Sequence, residues 1–369
     1  MPEERTGKPV TVWVKRDHLL EGERTCPVLA ALWPEEAAPE LRFWNPLRKI
    51  AASKIRIEYF DEVDDAGPLV VTPHSMVLYG KRDRLAEVTD FNGAVLRSGR
   101  NVVTFALIWE YRPTPGEIVY ASATFADRPD TRPSPHWLYD WSHLVGPVER
   151  PEKPRVAFVG NVEFPNRLNR LVRHVPVPFP VKVRAARTPR FRSRKTVAEF
   201  MAVRQVIARW VRTGVITRLR GSDLIDLDYI GREKAFFCMT EDEKKRAREE
   251  YLQNLREAPY RLVMRGDANA VFSLYETMAV GRIPIIVQTG MRLPPIPGMK
   301  WSDFALIHDF KDLDTLDRAI RDFHYGLGEE QFRERCQLAR SAFERLSPKN
   351  FFEDTLFPAL RELSATAQT

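Results

Sequence analysis

Five residues with chemistry to offer stand close together late in the sequence: Arg265, Asp267, Asn269, Ser273 and Glu276, with Gly266 between the first two. Arginine presents a planar fork of donors that suits a diphosphate. Asn269, Ser273 and Glu276 are spaced four and three apart, so on a helix they share one face. If that helix begins near Asn269, its first N–H groups and the positive end of its dipole favour an anion beside Arg265. Glu276 then lies about two turns further on, roughly 10 Å at 1.5 Å per residue. That separation suits the ribose of a nucleotide whose phosphates rest at the helix start. The plain alternative is a carboxylate that only solvates a helix.

The elements that must position these residues are legible around them. Tyr260 to Met264 is a short apolar run with the length of a buried strand. Arg265-Gly266-Asp267 reads as a turn, with Asp267 or Asn269 available to cap the next helix. Phe272, Tyr275, Met278 and Ala279 recur at helical spacing and predict its buried face. Gly281 falls where a left-handed C-cap is wanted. Ile283 to Val287 is a second buried strand, with Pro284 at its start where no ladder donor is needed. Upstream, Arg155 to Gly160 is a strand running into a glycine, which lets a backbone approach a phosphate closely. A helix over 161–174 would then carry Arg167 and Arg170.

The run Arg265-Gly266-Asp267, followed by Phe272-Ser-Leu-Tyr-Glu-Thr-Met-Ala-Val-Gly-Arg-Ile-Pro-Ile285, resembles the C-terminal signature of the exostosin family of glycosyltransferases. Ser98-Gly99-Arg100-Asn101 before a hydrophobic strand matches the family's N-terminal half, so the resemblance covers roughly residues 70 to 360. It implies an α/β protein of two facing Rossmann-like domains, the GT-B type. It also implies a nucleotide-sugar donor and inversion at the anomeric carbon. The acceptor expected is a glycan or a lipid-linked saccharide. Many members carry an arginine three residues before the glutamate, where this chain has Ser273. That departure keeps open a second reading, a non-catalytic carbohydrate-binding or scaffold protein of the same fold.

At 369 residues the chain exceeds one typical core. Domains are expected over 1–150 and 151–345, with a closing helix over 346–369 that packs back on the first domain. The composition, 44% apolar and 29% charged, is that of a globular protein. No apolar run nears the roughly 20 residues needed to cross a membrane, and the first residues lack the apolar core of a signal peptide. Three cysteines, Cys26, Cys238 and Cys336, show no metal spacing. A cytoplasmic protein is the expectation, with peripheral contact at the inner membrane face as an addition. That contact would use residues 182–195, which hold Lys182, Arg184, Arg187, Arg190, Arg192, Arg194 and Lys195 without an acid. The same segment suits an anionic acceptor. The formal charge of +7 is modest for this length, and no nucleic-acid-binding motif accompanies it.

Strands are expected over 10–14, 54–60, 69–72, 101–109 and 118–125, and ligands of parallel sheets bind beyond the carboxyl ends of strands. An inverting transfer needs a base for the acceptor hydroxyl. Glu110 follows the most apolar strand and is the first candidate. Asp127 is the second and His74 the third. Trp137, Tyr139 and Trp141 stand in a proline-rich connection, suited either to stacking on sugar rings or to stapling the linker. Glu241 to Leu255 reads as a charged helix with a solvated face. Asp226-Leu-Asp228 and Asp312-Leu-Asp314 have the form of a metal-diphosphate motif, but no metal or other cofactor is expected.

Overall fold

The computed structural model describes residues 8–19, 26–74, 82–106, 113–124, 130–162, 194–232, 236, 239–266 and 268–366. Two compact units emerge from its contacts. Unit 1 takes Met1–Asp140, Arg292–Pro294 and Arg345–Thr369, and unit 2 takes Trp141–Met291 and Pro295–Glu344.

Unit 1 is built on a parallel sheet. Its strands are β1 (Val10–Lys15), β2 (Ile55–Phe60), β3 (Leu69–His74), β4 (Asn101–Ala106), β5 (Ile118–Ala121) and β6 (Thr131–Pro133), in the order β2-β1-β3-β4-β5-β6. Helix α1 (Asn45–Lys54) leads into β2, and α2 (Arg82–Arg97) leads into β4. The buried run Val102 to Ala106 has the near-continuous apolar character of a strand covered on both faces. Pro27–Leu32 form a 3-10 turn. Ser98-Gly99-Arg100-Asn101 is the junction between α2 and β4. Gly99 has φ +81° and donates to Leu96 O at 3.0 Å, while Arg100 N–H reaches back to Val95 O at 3.4 Å. That pattern is the Schellman ending of a helix. Asn101 Nδ2 donates to Leu363 O at 3.1 Å. Among the described contacts this four-residue match is spent on chain geometry.

Unit 2 repeats the plan. Its strands are β7 (Arg155–Asn161), β8 (Asp226–Arg232), β9 (Tyr260–Val263), β10 (Ile283–Gln288) and β11 (Leu306–Asp309), in the order β11-β10-β9-β7-β8 and all parallel. Strand order reverses between β7 and β9, which makes their carboxyl ends the switch point of the sheet. Helix α3 (Arg194–Arg220) joins β7 to β8, α4 (Glu241–Glu257) joins β8 to β9, and α5 (Phe272–Ala279) joins β9 to β10. Val156, Leu262 and Ile285 of the sheet pack with Val215 and Leu219 of α3 in one apolar cluster. Leu316 and Ile320 of α6 (Leu316–Tyr325) and Phe332 of α7 (Glu329–Arg345) join it.

Local chemistry sets the ends of these helices. Thr240 and Glu243 form a reciprocal capping box at the start of α4. Helix α5 ends as α2 does: Gly281, at φ +67°, donates to Met278 O at 2.9 Å, and Arg282 N–H to Thr277 O at 3.1 Å. Pro284 precedes the first residue paired with β11, Ile285, so its missing N–H costs that ladder nothing. The buried Arg282 guanidinium donates to Val280 O at 2.9 Å, Arg256 O at 3.2 Å and Gly146 O at 3.2 Å. It thereby satisfies carbonyls at the ends of two helices.

Candidate functional site

The loop from Met264 to Val271 leaves the carboxyl end of β9 and enters α5. The helix begins at Phe272 rather than near Asn269, and its N-cap is Val271, whose side chain makes no cap. Asn269 is fully buried and accepts the Thr289 hydroxyl at 2.7 Å, pinning the loop to the end of β10. The expected cap by Asn269 is therefore corrected: its oxygen is committed to another strand. Phe272 is 44% exposed, against the expectation of a buried face, because it is the first residue of the helix. Tyr275, Met278 and Ala279 are buried as expected, and Leu274, Glu276 and Thr277 are buried with them. Ser273 is half-buried, and its carbonyl accepts the Thr277 hydroxyl at 2.6 Å.

Arg265 is only 2% exposed, and its Nε donates to Gly266 O at 3.4 Å. Another arginine reaches this loop from outside it. Arg212 of α3 is half-buried. It donates from Nε to Arg265 O at 3.1 Å and from Nη1 to Asn161 O at 3.0 Å. Those carbonyls lie just past β9 and at the end of β7, so one guanidinium spans the switch point. A Cβ added at Gly266 would lie 3.5 Å from Arg212 Nη2. Sequence reasoning passed over Arg212, since nothing separates it from the other basic residues of its helix until the fold sets it beside two strand ends. Gly160 lies within β7, and a Cβ there would meet the Phe158 ring at 2.7 Å. The space it leaves is filled by that ring, which is a packing reason for the glycine.

Glu276 is the most constrained of the expected residues. It is 3% exposed. Its Oε1 accepts Trp141 Nε1–H at 3.0 Å, and its Oε2 accepts the Tyr251 hydroxyl in a short hydrogen bond. Tyr251 belongs to α4, so the helix expected to be merely solvated buries a face at Ala247, Asn254 and Leu255 and turns a hydroxyl inward at Tyr251. The Arg261 guanidinium lies 5.0 Å from the Tyr251 ring centre and donates to Asn254 Oδ1 at 2.7 Å. Burial raises the Glu276 carboxyl above its ordinary value, opposed by the bonds from Tyr251 and Trp141 and by the charges of Arg261 and Arg248. Burial, and then the Glu276 charge, push the Tyr251 hydroxyl well above its ordinary value. It therefore stays a proton donor.

Residues 148–323 match the family model of the exostosin GT47 domain, a range that begins just before β7 and runs through most of α6. The chain carries an exostosin GT47 domain. This exostosin domain is a glycosyltransferase domain, and it contains Arg212, Arg265, Asn269, Ser273, Glu276, Tyr251 and Gly160. No curated protein sequence matches the chain. Among solved structures, a trehalose-6-phosphate structure from E. coli bound with UDP-2-fluoro glucose is similar at a TM-score of 0.42 and 11% identity, over 96% of this chain and 99% of that one. A glycosyltransferase from Rickettsia africae ESF-5 is similar at 0.40 and 9%, over 97% and 99%. TarM is similar at 0.35 and 10%, over 72% of this chain, which spans half of TarM's length. Likeness at these scores is too loose to place a residue or a ligand.

Glu110, Asp127, Asp267 and Arg167 lie outside the described residues, as do residues 182–193 of the basic segment. His74 ends β3. Of the two Asp-x-Asp runs, the first is in β8, where Asp226 pairs with Lys153 at 2.8 Å and Asp228 with Arg155 at 3.1 Å. Asp312 and Asp314 lie in the 3-10 turn Phe310–Thr315. Among the described residues no helix is long and apolar enough to cross a membrane.

Proposed function

We propose that the exostosin domain works by inversion, moving a sugar from a nucleotide-sugar donor to a glycan or a lipid-linked saccharide. The donor rests on unit 2 at the β7/β9 switch point. The observation that carries this reading is Arg212, a cation held by two strand-end carbonyls where a parallel sheet is suited to binding a ligand. Its guanidinium, with the Arg265–Gly266 loop and the uncapped start of α5, meets the diphosphate. Arg167 is a further candidate for that role, Asp267 is a further candidate residue of the donor site, and Glu276 takes the ribose hydroxyls.

Glu110 or Asp127 acts as base, with His74 as the third candidate. Attack by the acceptor oxygen on the anomeric carbon breaks the bond to the diphosphate, and the base takes the hydroxyl proton. Negative charge grows on the leaving diphosphate, so the fixed cation and the helix dipole act most strongly at the transition state. On this reading turnover needs no divalent ion, and adding a chelator leaves the rate unchanged. The basic segment 182–195 would hold an anionic acceptor or an anionic headgroup at the inner membrane face, and flotation with phosphatidylserine vesicles tests the latter.

Titration calorimetry with UDP, GDP, CDP and dTDP tests the donor site. One of them should bind, and Glu276→Ala should abolish that binding while circular dichroism stays native. A bound donor nucleotide at a hundred times its dissociation constant adds about 2.7 kcal/mol of apparent stability. Equal binding by Glu276→Ala and the unaltered protein would overturn the assignment.

A further inference from the structure

The two donors on Glu276 come from different kinds of backbone. Tyr251 stands in a 17-residue helix with a capping box at its start and a buried arginine against its ring. Trp141 stands in no helix or strand and precedes only the 3-10 turn Ser142–Leu144. It is 5% exposed, and its ring lies 5.9 Å from His143. A carboxylate offers about four lone-pair positions. Here each oxygen accepts one hydrogen bond among the described residues, and the group is almost sealed from water. A ribose presents two hydroxyl donors on adjacent carbons. For that diol to reach so enclosed a carboxylate, one of the side chains covering it must move aside, and the helix-borne one cannot move without its helix.

We infer that Tyr251 is a positioning residue that fixes the Glu276 carboxylate for the ribose, and that the Trp141 indole N–H holds the place a ribose hydroxyl takes when the nucleotide binds. The number of hydrogen bonds on the carboxylate is unchanged: an O–H of the ribose replaces the N–H of the indole on Oε1, while the Tyr251 bond to Oε2 stays. The inference rests on the reading of unit 2 as the donor site and goes further by naming what turns the carboxylate and what covers it.

The two residues should respond in opposite directions. Trp141→Phe keeps an aromatic ring but loses the competing N–H. It should bind nucleotide at least as tightly as the unaltered protein. Tyr251→Phe loses the fixed bond and should bind about tenfold more weakly, the size of one lost bond to a charged group. The pH profile adds a readout that a purely structural role would not move. Tyr251 and Trp141 bonding and the Arg261 and Arg248 charges favour the ionised carboxyl. Removing the Tyr251 bond should therefore move the acid limb of nucleotide binding to higher pH.

The experiment is calorimetry over a pH series with whichever of the ribonucleotides UDP, GDP and CDP binds the unaltered protein. Trp141→Phe, Tyr251→Phe and Glu276→Ala are compared, each checked for a native melting transition. If Glu276→Ala binds normally, or no nucleotide binds at all, the donor reading itself falls. If Glu276→Ala loses binding but Tyr251→Phe keeps an unchanged affinity and profile, or Trp141→Phe binds more weakly, the donor reading stands and this inference is overturned.

Discussion

Glu276 carries an energetic signature that can be read apart from any ligand. Its carboxyl is raised in the folded protein, so folding favours the protonated form. The stability it contributes is full below the ordinary carboxylate value and is lost as pH rises through the raised one. Glu276→Gln removes that titration. In urea unfolding across pH, the glutamine variant should gain on the unaltered protein as pH climbs from the carboxylate range, then hold a constant lead. A lead that shrinks with rising pH would show that the charge is stabilised rather than penalised. The sequence marked this residue by its spacing from Arg265, but not its shell. Tyr251 and Trp141 lie 25 and 135 positions away along the chain, and only folding makes them neighbours. Arg212 was hidden for the same reason.

At the scale of elements, the strands were the legible part, because a buried parallel strand writes itself as an unbroken apolar run. Arg155 to Gly160, Tyr260 to Met264 and Ile283 to Val287 each correspond to a strand within a residue or two. Helix starts were less legible. Asparagine at a loop end signals a cap from sequence alone, yet Asn269 serves Thr289 instead. The few apolar residues of α4 predict a solvated face. Its inward positions Ala247, Tyr251, Asn254 and Leu255 keep helical spacing, but two of them are polar or amphipathic. The left-handed C-cap expected at Gly281 is present, and its role is testable. Its φ of +67° penalises any side chain, while a Cβ there would sit 3.5 Å from Cys336 O, an ordinary contact. Gly281→Ala should thus cost about 1–2 kcal/mol from backbone conformation alone, seen as a lower urea midpoint with an unchanged slope. No loss would mean that the helix end relaxes to another geometry.

For the whole molecule, unit 1 is assembled from three separate stretches of chain. Arg292 is tied into it by paired bonds with Thr124, at 2.8 and 3.0 Å, and by Nη1 to Thr131 O at 2.6 Å. From the last stretch, Leu346 O accepts Trp137 Nε1–H at 2.6 Å, Leu363 O accepts Asn101, and Glu353 pairs with Lys54 at 2.7 Å. Deleting residues 346–369 should therefore melt unit 1 while leaving unit 2 folded. Scanning calorimetry should show one of two transitions lost, with protease cuts confined to the first 140 residues. Retention of both transitions would refute that dependence. Length suggests two domains, and a closing helix over 346–369 is expected on the first, but no signal in the sequence marks Arg292–Pro294 as part of unit 1.

This borrowing sets an order of events during synthesis. Every residue of unit 2 leaves the ribosome before Leu346 does, so the amino-terminal unit, though made first, is finished second. Through that interval Trp137 and the strand end at Asn101 wait without their carbonyl partners. A pause in translation just before residue 346 would prolong the wait and leave the first half of the chain open to chaperones.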